Sequence, residues 1–349
     1  MYKYSEHLKS LWRPPLKKPQ NVINLDHNEP PFGPLERVRK YPNAYFLYEK
    51  LSEYLEIPID NIILTAGSEQ AIRFAFDAFV DPGATVIYPY PTFGIIEVFV
   101  HYRKAKKVLL EYDPDRHINL YKSFPRRGSF FYLANPDNPT GACYSLDEII
   151  YVLENFDGKV LLDEAYWGYY SLSTIDLIHK YKNLIITRTF SKAFGIPGAR
   201  VGFAVSSRDN IDILRKLRPI NELPTDSINA ALLALDRSCV RKNKKQVDKW
   251  KNIFKHSKLK NFTYLDTGGN FILLKSKLAK LSYNKLLTKG IATRADFPYP
   301  LNRHLRISIG RDKYMRKTLR IIQKIDKLYS KRFASVHHKE HPQGKDVSP

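Results

Sequence analysis

Residues 184–200 read LIITRTFSKAFGIPGAR, a short apolar run followed at once by hydroxyls, a lysine and an arginine. The apolar run at 184–186 predicts a buried β-strand, and the glycines and prolines behind it predict a shaped loop. In an open α/β sheet, ligands bind beyond the carboxyl ends of the strands. The polar residues after this strand, above all Lys192, are therefore candidates for chemistry.

The same alternation extends on both sides of this stretch. Helical stretches, one at about residues 45–55 and one opening at the capping box of Ser145 and Glu148, separate further short apolar runs. These runs lie at residues 61–65, 85–88, 130–133, 160–162 and 201–205. Such alternation predicts an α/β fold with a mostly parallel sheet that helices cover on both faces.

Four parts are predicted along the chain. They are an N-terminal arm (1–40), a large domain (41–225), a small α+β C-terminal domain (226–330) and a disordered tail (331–349). The arm is rich in proline, which predicts that it forms neither a regular helix nor a central strand. The small domain is expected to hold two strands, at 269–274 and 304–309, between amphipathic helices.

The composition restricts the classes of function. A net charge of +22 could reflect nucleic-acid binding, attraction of anionic metabolites or a lysine-rich surface. The densest basic stretch, 241–255, carries apolar residues at helical spacing, which is typical of a surface helix, and no nucleic-acid-binding motif accompanies it.

No apolar run is long enough to cross a bilayer, and the charged N-terminus does not look like a secretory signal. With only Cys143 and Cys239, no disulfide framework is expected and a cytoplasmic location is predicted. The histidines of the tail have no ordered frame, so no metal site is predicted.

Polar clusters follow several of the predicted strands. Gly67-Ser68-Glu69 opens a helix, and the free N–H groups there favour an anion such as phosphate. Asn138 lies in a turn that two X-Pro bonds make rigid. Asp163 comes directly after a buried strand, where a carboxylate costs several kcal/mol unless a cation, such as a protonated ring nitrogen, pairs with it. A lysine such as Lys192 can form a Schiff base with a carbonyl.

These clusters, taken in order, resemble a known family. Asn138-Pro139-Thr140-Gly141, Asp163-Glu164-Ala165-Tyr166, Ser191-Lys192 and Arg200 resemble the motifs of fold-type I pyridoxal 5′-phosphate (PLP) enzymes, specifically the class I/II aminotransferases. The resemblance covers roughly residues 22–325. It implies PLP as the cofactor, an amino-group transfer reaction, and a homodimer with active sites at the interface.

The resemblance also implies roles for individual residues. Lys192 would form the Schiff base and then act as general base and acid, and Asp163 would pair with the pyridinium nitrogen. Asn138 and Tyr166 would bond the ring 3-oxygen, and Phe93 would lie against the ring face. The phosphate would be bound by the helix start at Gly67, Ser68 and Glu69 together with Thr189, Ser191 and Arg200. Tyr41 would reach the cofactor of the partner subunit.

Within the family, the chain is most similar to the histidinol-phosphate aminotransferases. The segment LDHNEPPFGP (25–34), Tyr41-Pro42 and Leu305-Arg306-Ile307 follow that pattern, which implies that Arg306 and Asn28 bind substrate. Arg13-Pro14-Pro15 stands where the group usually has Pro-Tyr, and His27 and Pro30 depart from the usual small residue and asparagine. These departures put the substrate in question but not the cofactor.

Several alternatives therefore stay open. The threonine-phosphate decarboxylases share the same motifs, and cofactor residues do not distinguish transamination from decarboxylation. An aminotransferase that acts on another phosphorylated or anionic amine is also consistent with the sequence, and the basic composition suits such a substrate. A non-catalytic PLP- or ligand-binding regulator is the alternative from a different class.

Overall fold

The computed structural model describes residues 3–13, 16, 28–113 and 116–337. His27 and the end of the predicted tail (338–349) lie outside the described residues. The chain forms two compact units, Met1–Lys244 and Lys245–Pro349.

The first unit alternates strands and helices along most of its length. Its strands are β1 (Ile62–Thr65), β2 (Thr85–Tyr90), β3 (Lys106–Glu111), β4 (Phe130–Ala134), β5 (Lys159–Asp163), β6 (Leu184–Thr189) and β7 (Gly202–Ser206). Its helices are α1 (Lys3–Lys9), α2 (Tyr45–Leu55), α3 (Ser68–Phe79), α4 (Ile95–Tyr102), α5 (Leu120–Ser123), α6 (Leu146–Asn155), α7 (Arg208–Leu217) and α8 (Thr225–Ala234). Helix α9 (Arg237–Lys255) runs from the first unit into the second.

The seven strands form one sheet in the order β1-β7-β6-β5-β4-β2-β3. All neighbouring pairs are parallel except those of β7, which is antiparallel to both β1 and β6. Successive residues of the central strands alternate between two apolar clusters: Leu162 belongs to one and Leu161 to the other. Because both faces are buried, these strands are apolar without interruption. The predicted mostly parallel sheet is confirmed.

The second unit contains a small antiparallel sheet in the order β10-β9-β8. Its strands are β8 (Thr263–Leu265), β9 (Phe271–Lys275) and β10 (His304–Ser308), and its helices are α10 (Ala279–Leu287) and α11 (Asp312–His337). One face of the sheet packs into an apolar cluster that includes Leu274, Leu305 and, from α9, Trp250. The predicted small α+β domain is therefore present.

The structure departs from the sequence-based expectations at the ends of the chain. The N-terminal arm does contain a helix, α1, because the first proline comes only at residue 14, and Leu8 packs against the apolar cluster that contains Phe76. Helix α11 continues to His337, past the predicted start of the tail at 331. The predicted domain border at 225/226 differs from the observed division at 244/245, since α8 buries Ile228 and Ala231 in the core of the first unit.

Among the described residues, no helix combines the length and the apolar composition that crossing a membrane requires.

Candidate active site

A cavity of about 160 Å³ opens at the carboxyl ends of β4, β5 and β6. These strands are parallel, and Ala134, Asp163 and Thr187 lie side by side in register near their ends. The loops that follow the strands therefore meet at one edge of the sheet. The cavity is lined by Ser68, Glu69, Phe93, Tyr132, Ala134, Pro136, Asn138, Asp163, Ala165, Tyr166, Thr189, Ser191, Lys192 and Arg200.

Asp163 is a buried carboxylate in the cavity wall, 5% exposed. It accepts hydrogen bonds from Tyr132 Oη (3.2 Å), from Thr187 Oγ1 (3.1 Å) and from the backbone nitrogen of Ala165 (3.1 Å). Burial raises the pKa of Asp163 to about 6, and these hydrogen bonds act in the opposite direction. A cation bound in the cavity would stabilise the ionised form.

Lys192 lies in the loop directly after β6. The rings of Phe190 and Phe194 stack with their centroids 4.4 Å apart, and both side chains are buried. Gly195 N donates to Lys192 O (3.1 Å), which closes a turn around the lysine. Two buried aromatic anchors thus fix the loop, and Lys192 lines the cavity with its Nζ 5.5 Å from the centroid of the Tyr166 ring.

One end of the cavity is suited to an anion. Ser68 begins α3, where backbone N–H groups and the helix dipole favour negative charge. Arg200 Nη1 lies 3.4 Å from Ser191 Oγ, and Ser191 N donates to Thr189 Oγ1 (3.1 Å). Gly67 has φ +81°, and a Cβ at this position would lie 2.8 Å from Arg200 Nη2. A glycine is therefore required for the guanidinium to approach the start of the helix.

Asn138 and Phe93 line the cavity from two different loops. The loop of Asn138 is held at its base by Asn135, whose Nδ2 donates to Tyr144 O (3.0 Å) while its Oδ1 accepts from Tyr144 N (3.0 Å). The amide of Asn138 is thus carried on a loop with fixed ends.

The structure also identifies residues that the sequence reasoning missed. Tyr132 lines the cavity and donates a hydrogen bond to Asp163. The sequence feature that points to it is a hydroxyl group within an otherwise apolar strand. Beside Asp163, Glu164 forms an ion pair with Arg188 at 2.7 Å, and both side chains are only 3% exposed. The sequence signal for this pair is a charged residue directly after β5 and another at the end of the apolar run of the neighbouring strand β6.

Three predicted site residues lie elsewhere. Tyr41 and Asn28 line a second cleft of the first unit, together with Pro224 and Thr225. Arg306 belongs to β10 of the second unit, and its guanidinium carbon lies 5.5 Å and 5.6 Å from the ring centroids of Phe271 and Phe297.

Arg294 pairs with Arg306 through two backbone hydrogen bonds, of 3.0 Å and 2.8 Å. Side chains of residues that face each other in an antiparallel pair point to the same side of the sheet. Arg294 is thus a second arginine on the face that carries Arg306, and the sequence reasoning had not identified it.

Comparison with known proteins decides the family. The sequence profile of the family described as Aminotransferase class I and II matches residues 20–322. The chain belongs to this family. It is therefore a PLP-dependent enzyme of the aminotransferase class.

Individual relatives agree with this assignment. The histidinol-phosphate aminotransferase of Methanocaldococcus jannaschii is 31% identical over 339 residues, which covers 88% of this chain and 90% of the relative. The crystal structure of the histidinol-phosphate aminotransferase from Sinorhizobium meliloti in complex with PLP superimposes with a TM-score of 0.77 at 23% identity, covering 87% and 90% of the two chains. The L-threonine-O-3-phosphate decarboxylase from Porphyromonas gingivalis has the same fold, with a TM-score of 0.68 at 22% identity over 83% and 91% of the two chains.

The residues of the cavity fit the chemistry of PLP. The cofactor has a basic ring nitrogen, an aldehyde and a phosphate group, which call for a carboxylate, an amine and an anion site. Asp163 supplies a buried carboxylate, Lys192 supplies the amine, and the start of α3 with Arg200 supplies the anion site.

Proposed function

We propose that the enzyme transfers an amino group between a phosphorylated or otherwise anionic amine, histidinol phosphate foremost, and a 2-oxo acid such as 2-oxoglutarate. The observation that carries the proposal is that one cavity holds Asp163, Lys192 and the anion-binding cluster of Ser68, Thr189, Ser191 and Arg200. The choice of substrate is supported by the histidinol-phosphate aminotransferase that is 31% identical.

PLP, when bound, withdraws electrons from the bonds at the substrate Cα and carries the amino group from donor to acceptor. Lys192 Nζ takes the proton from the substrate Cα and later returns one, and the aromatic anchors of its loop hold it in place. Asp163, held by Tyr132 and Thr187, keeps the ring nitrogen protonated.

The remaining lining residues bind and orient the cofactor. Asn138 and Tyr166 would hydrogen-bond the ring oxygen, and Phe93 would lie against the ring. Arg200 and the hydroxyls of Ser68, Thr189 and Ser191 would bind the phosphate through hydrogen bonds, which the charge of the arginine strengthens. Gly67 and Glu69 flank Ser68 at the start of α3, where Gly67 leaves room for Arg200.

Substrate recognition is assigned to Arg306, with Asn28 as a second contact. A guanidinium binds a carboxylate or a phosphate through two parallel hydrogen bonds. The rings of Phe271 and Phe297 restrict the movement of Arg306, so less conformational entropy is lost when it binds an anion. The net charge of +22 also attracts anionic substrates.

The direct test is an assay of the purified enzyme with PLP, L-histidinol phosphate and 2-oxoglutarate. We expect glutamate to form, and we expect the Lys192→Ala variant to lose at least about 1,000-fold in turnover because the proton-transfer group is gone. Lys180→Ala, on the exposed surface, is the matched control and should keep the wild-type rate. Turnover that survives in Lys192→Ala would contradict the role of this lysine.

The decarboxylase and the non-catalytic regulator predict other outcomes. A decarboxylase would release CO₂ from threonine phosphate and would form no glutamate from histidinol phosphate. A non-catalytic regulator would keep its biological activity in the Lys192→Ala variant.

We further propose that the enzyme is a homodimer in which Tyr41 serves the cofactor of the partner subunit. Tyr41 is 53% exposed and does not line the cavity of its own chain. Phe32 (87%), Leu35 (52%) and Phe46 (52%), which are near Tyr41 in the sequence, are large apolar residues that are also exposed. A second copy of the chain would remove these side chains from water.

A further inference from the structure

A hydrogen bond between a hydroxyl and a carboxylate joins two of the loops that line the cavity. Thr92 Oγ1 donates to Asp137 Oδ1 at 2.5 Å, across 45 residues of sequence. Thr92 precedes Phe93 and Asp137 precedes Asn138, and both Phe93 and Asn138 line the cavity. The bond therefore connects the loop of Phe93 to the loop of Asn138.

The other oxygen of Asp137 stabilises its own loop. Oδ2 accepts hydrogen bonds from Thr140 Oγ1 (2.6 Å) and from Thr140 N (3.2 Å), and Gly141 N donates to Asp137 O (3.1 Å). Asp137 and Thr140 are 1% and 0% exposed. Burial raises the pKa of Asp137, and the hydrogen bonds from Thr140 and Thr92 partly offset that effect.

The two sets of contacts have separable consequences. The bonds to Thr140 lie within one turn. The bond from Thr92 comes from outside that turn and connects it to the loop of Phe93. Asp137 does not itself line the cavity, but its neighbours Pro136 and Asn138 do, as does Phe93 beside Thr92. The bond to Thr92 therefore acts on a bound group through the positions of these residues.

We propose that Asp137 is a positioning residue, whose bond to Thr92 fixes Phe93 relative to Asn138 and thereby sets the orientation of the PLP ring. A binding group must be held to within about 0.5 Å by the residues behind it, and a short bond to a charged acceptor is suited to this task. The inference rests on the proposed function, because Phe93 and Asn138 contact the ring only if PLP binds in this cavity.

Three variants separate the positioning role from a purely structural one. Thr92→Val removes the bond between the loops, Thr92→Ser retains the hydroxyl, and Thr140→Val removes only contacts within the turn. The measurements are the PLP dissociation constant from quenching of protein fluorescence, the visible circular dichroism of bound PLP, and the melting temperature without PLP. We expect Thr92→Val to bind PLP about tenfold more weakly, the lower range for a hydrogen bond to a charged group, and to change the dichroism. The melting temperature without PLP should fall in both Thr92→Val and Thr140→Val, because each leaves the buried carboxylate of Asp137 with one donor fewer. Only Thr92→Val should also change the dichroism of bound PLP.

Each other outcome has a definite meaning. Equal PLP affinity and dichroism in Thr92→Val and wild type would overturn the proposal, as would an equal loss in Thr92→Ser, since the hydroxyl would then be irrelevant. A Thr92→Val chain that fails to fold without PLP would overturn the proposal too, because the hydroxyl would then be required for folding and not for positioning the cavity residues. Failure of wild type itself to bind PLP would instead count against the proposed function.

Discussion

At the scale of single residues, Asp163 illustrates how a site for chemistry is maintained at the expense of stability. Its carboxyl group is 5% exposed, and burial raises its pKa to about 6 from an ordinary value of 3.8. The hydrogen bonds from Tyr132 and Thr187 only partly compensate. The buried carboxylate destabilises the fold by itself and becomes favourable once a cationic ring nitrogen lies beside it.

The substitution Asp163→Asn should therefore stabilise the protein without PLP at neutral pH. The folded chain binds the Asp163 proton more tightly than the unfolded chain, so this group's stabilising contribution is complete below about pH 4 and is lost as the pH rises through about 6. At pH 7.5 we expect the free energy of unfolding of Asp163→Asn, measured with urea, to exceed that of wild type by at most about 3 kcal/mol. Near pH 4 the two proteins should be equally stable. PLP affinity should fall in the same variant. Parallel stability curves for the two proteins from pH 4 to 8 would refute this account.

At the scale of elements, the position of the anion site depends on how closely α3 approaches β7. Gly202 begins β7, and a Cβ there would lie 2.5 Å from Ser68 N and would also contact the carbonyl carbon of Gly67. Both neighbours are backbone atoms, which cannot move aside as a flexible side chain can. The first turn of α3 is therefore set by contact with the sheet.

We predict that Gly202→Ala lowers the free energy of unfolding by about 3 kcal/mol or more, because the added methyl group overlaps the backbone of α3. Gly198→Ala is the matched control, since a Cβ at Gly198 has no neighbour within 4 Å among the described residues. Urea unfolding of both variants without PLP provides the measurement. Similar midpoints for the two would show that α3 can shift at little cost.

The elements also show which parts of the fold the sequence could predict. Buried central strands such as β5 and β6 stand out as uninterrupted apolar runs, because both of their faces are covered. Strand β3, whose sequence is KKVLLE, was missed because it lies at the edge of the sheet and most of its residues are exposed. The sequence predicts a domain border before α8, whereas the observed first unit includes this helix. Packing of α8 on the first unit is a tertiary contact, which no local sequence pattern indicates.

At the scale of the whole molecule, most of the residues predicted for the cofactor lie around one cavity. Asp163 ends β5, Lys192 follows β6 and Asn138 follows β4. These three strands are neighbours in the sheet, so residues far apart along the chain lie close together at its edge. Tyr41 and Asn28 do not follow strands, and they line a different cleft. Neither position carries a periodic pattern that points to a ligand, so these two assignments needed the family resemblance.

Mixing of inactive variants tests the proposed dimer and the role of Tyr41 together. Lys192→Ala and Tyr41→Ala should each be nearly inactive alone. If Tyr41 serves the partner's site, a mixed dimer has one site with both Lys192 and Tyr41 intact. Half of the dimers formed from an equal, co-refolded mixture are mixed, so we expect about a quarter of wild-type activity to return. If Tyr41 acts within its own chain, each site of a mixed dimer lacks one of the two residues, and activity stays at the average of the two variants. That average, or a monomeric protein at micromolar concentration, would rule out the shared site.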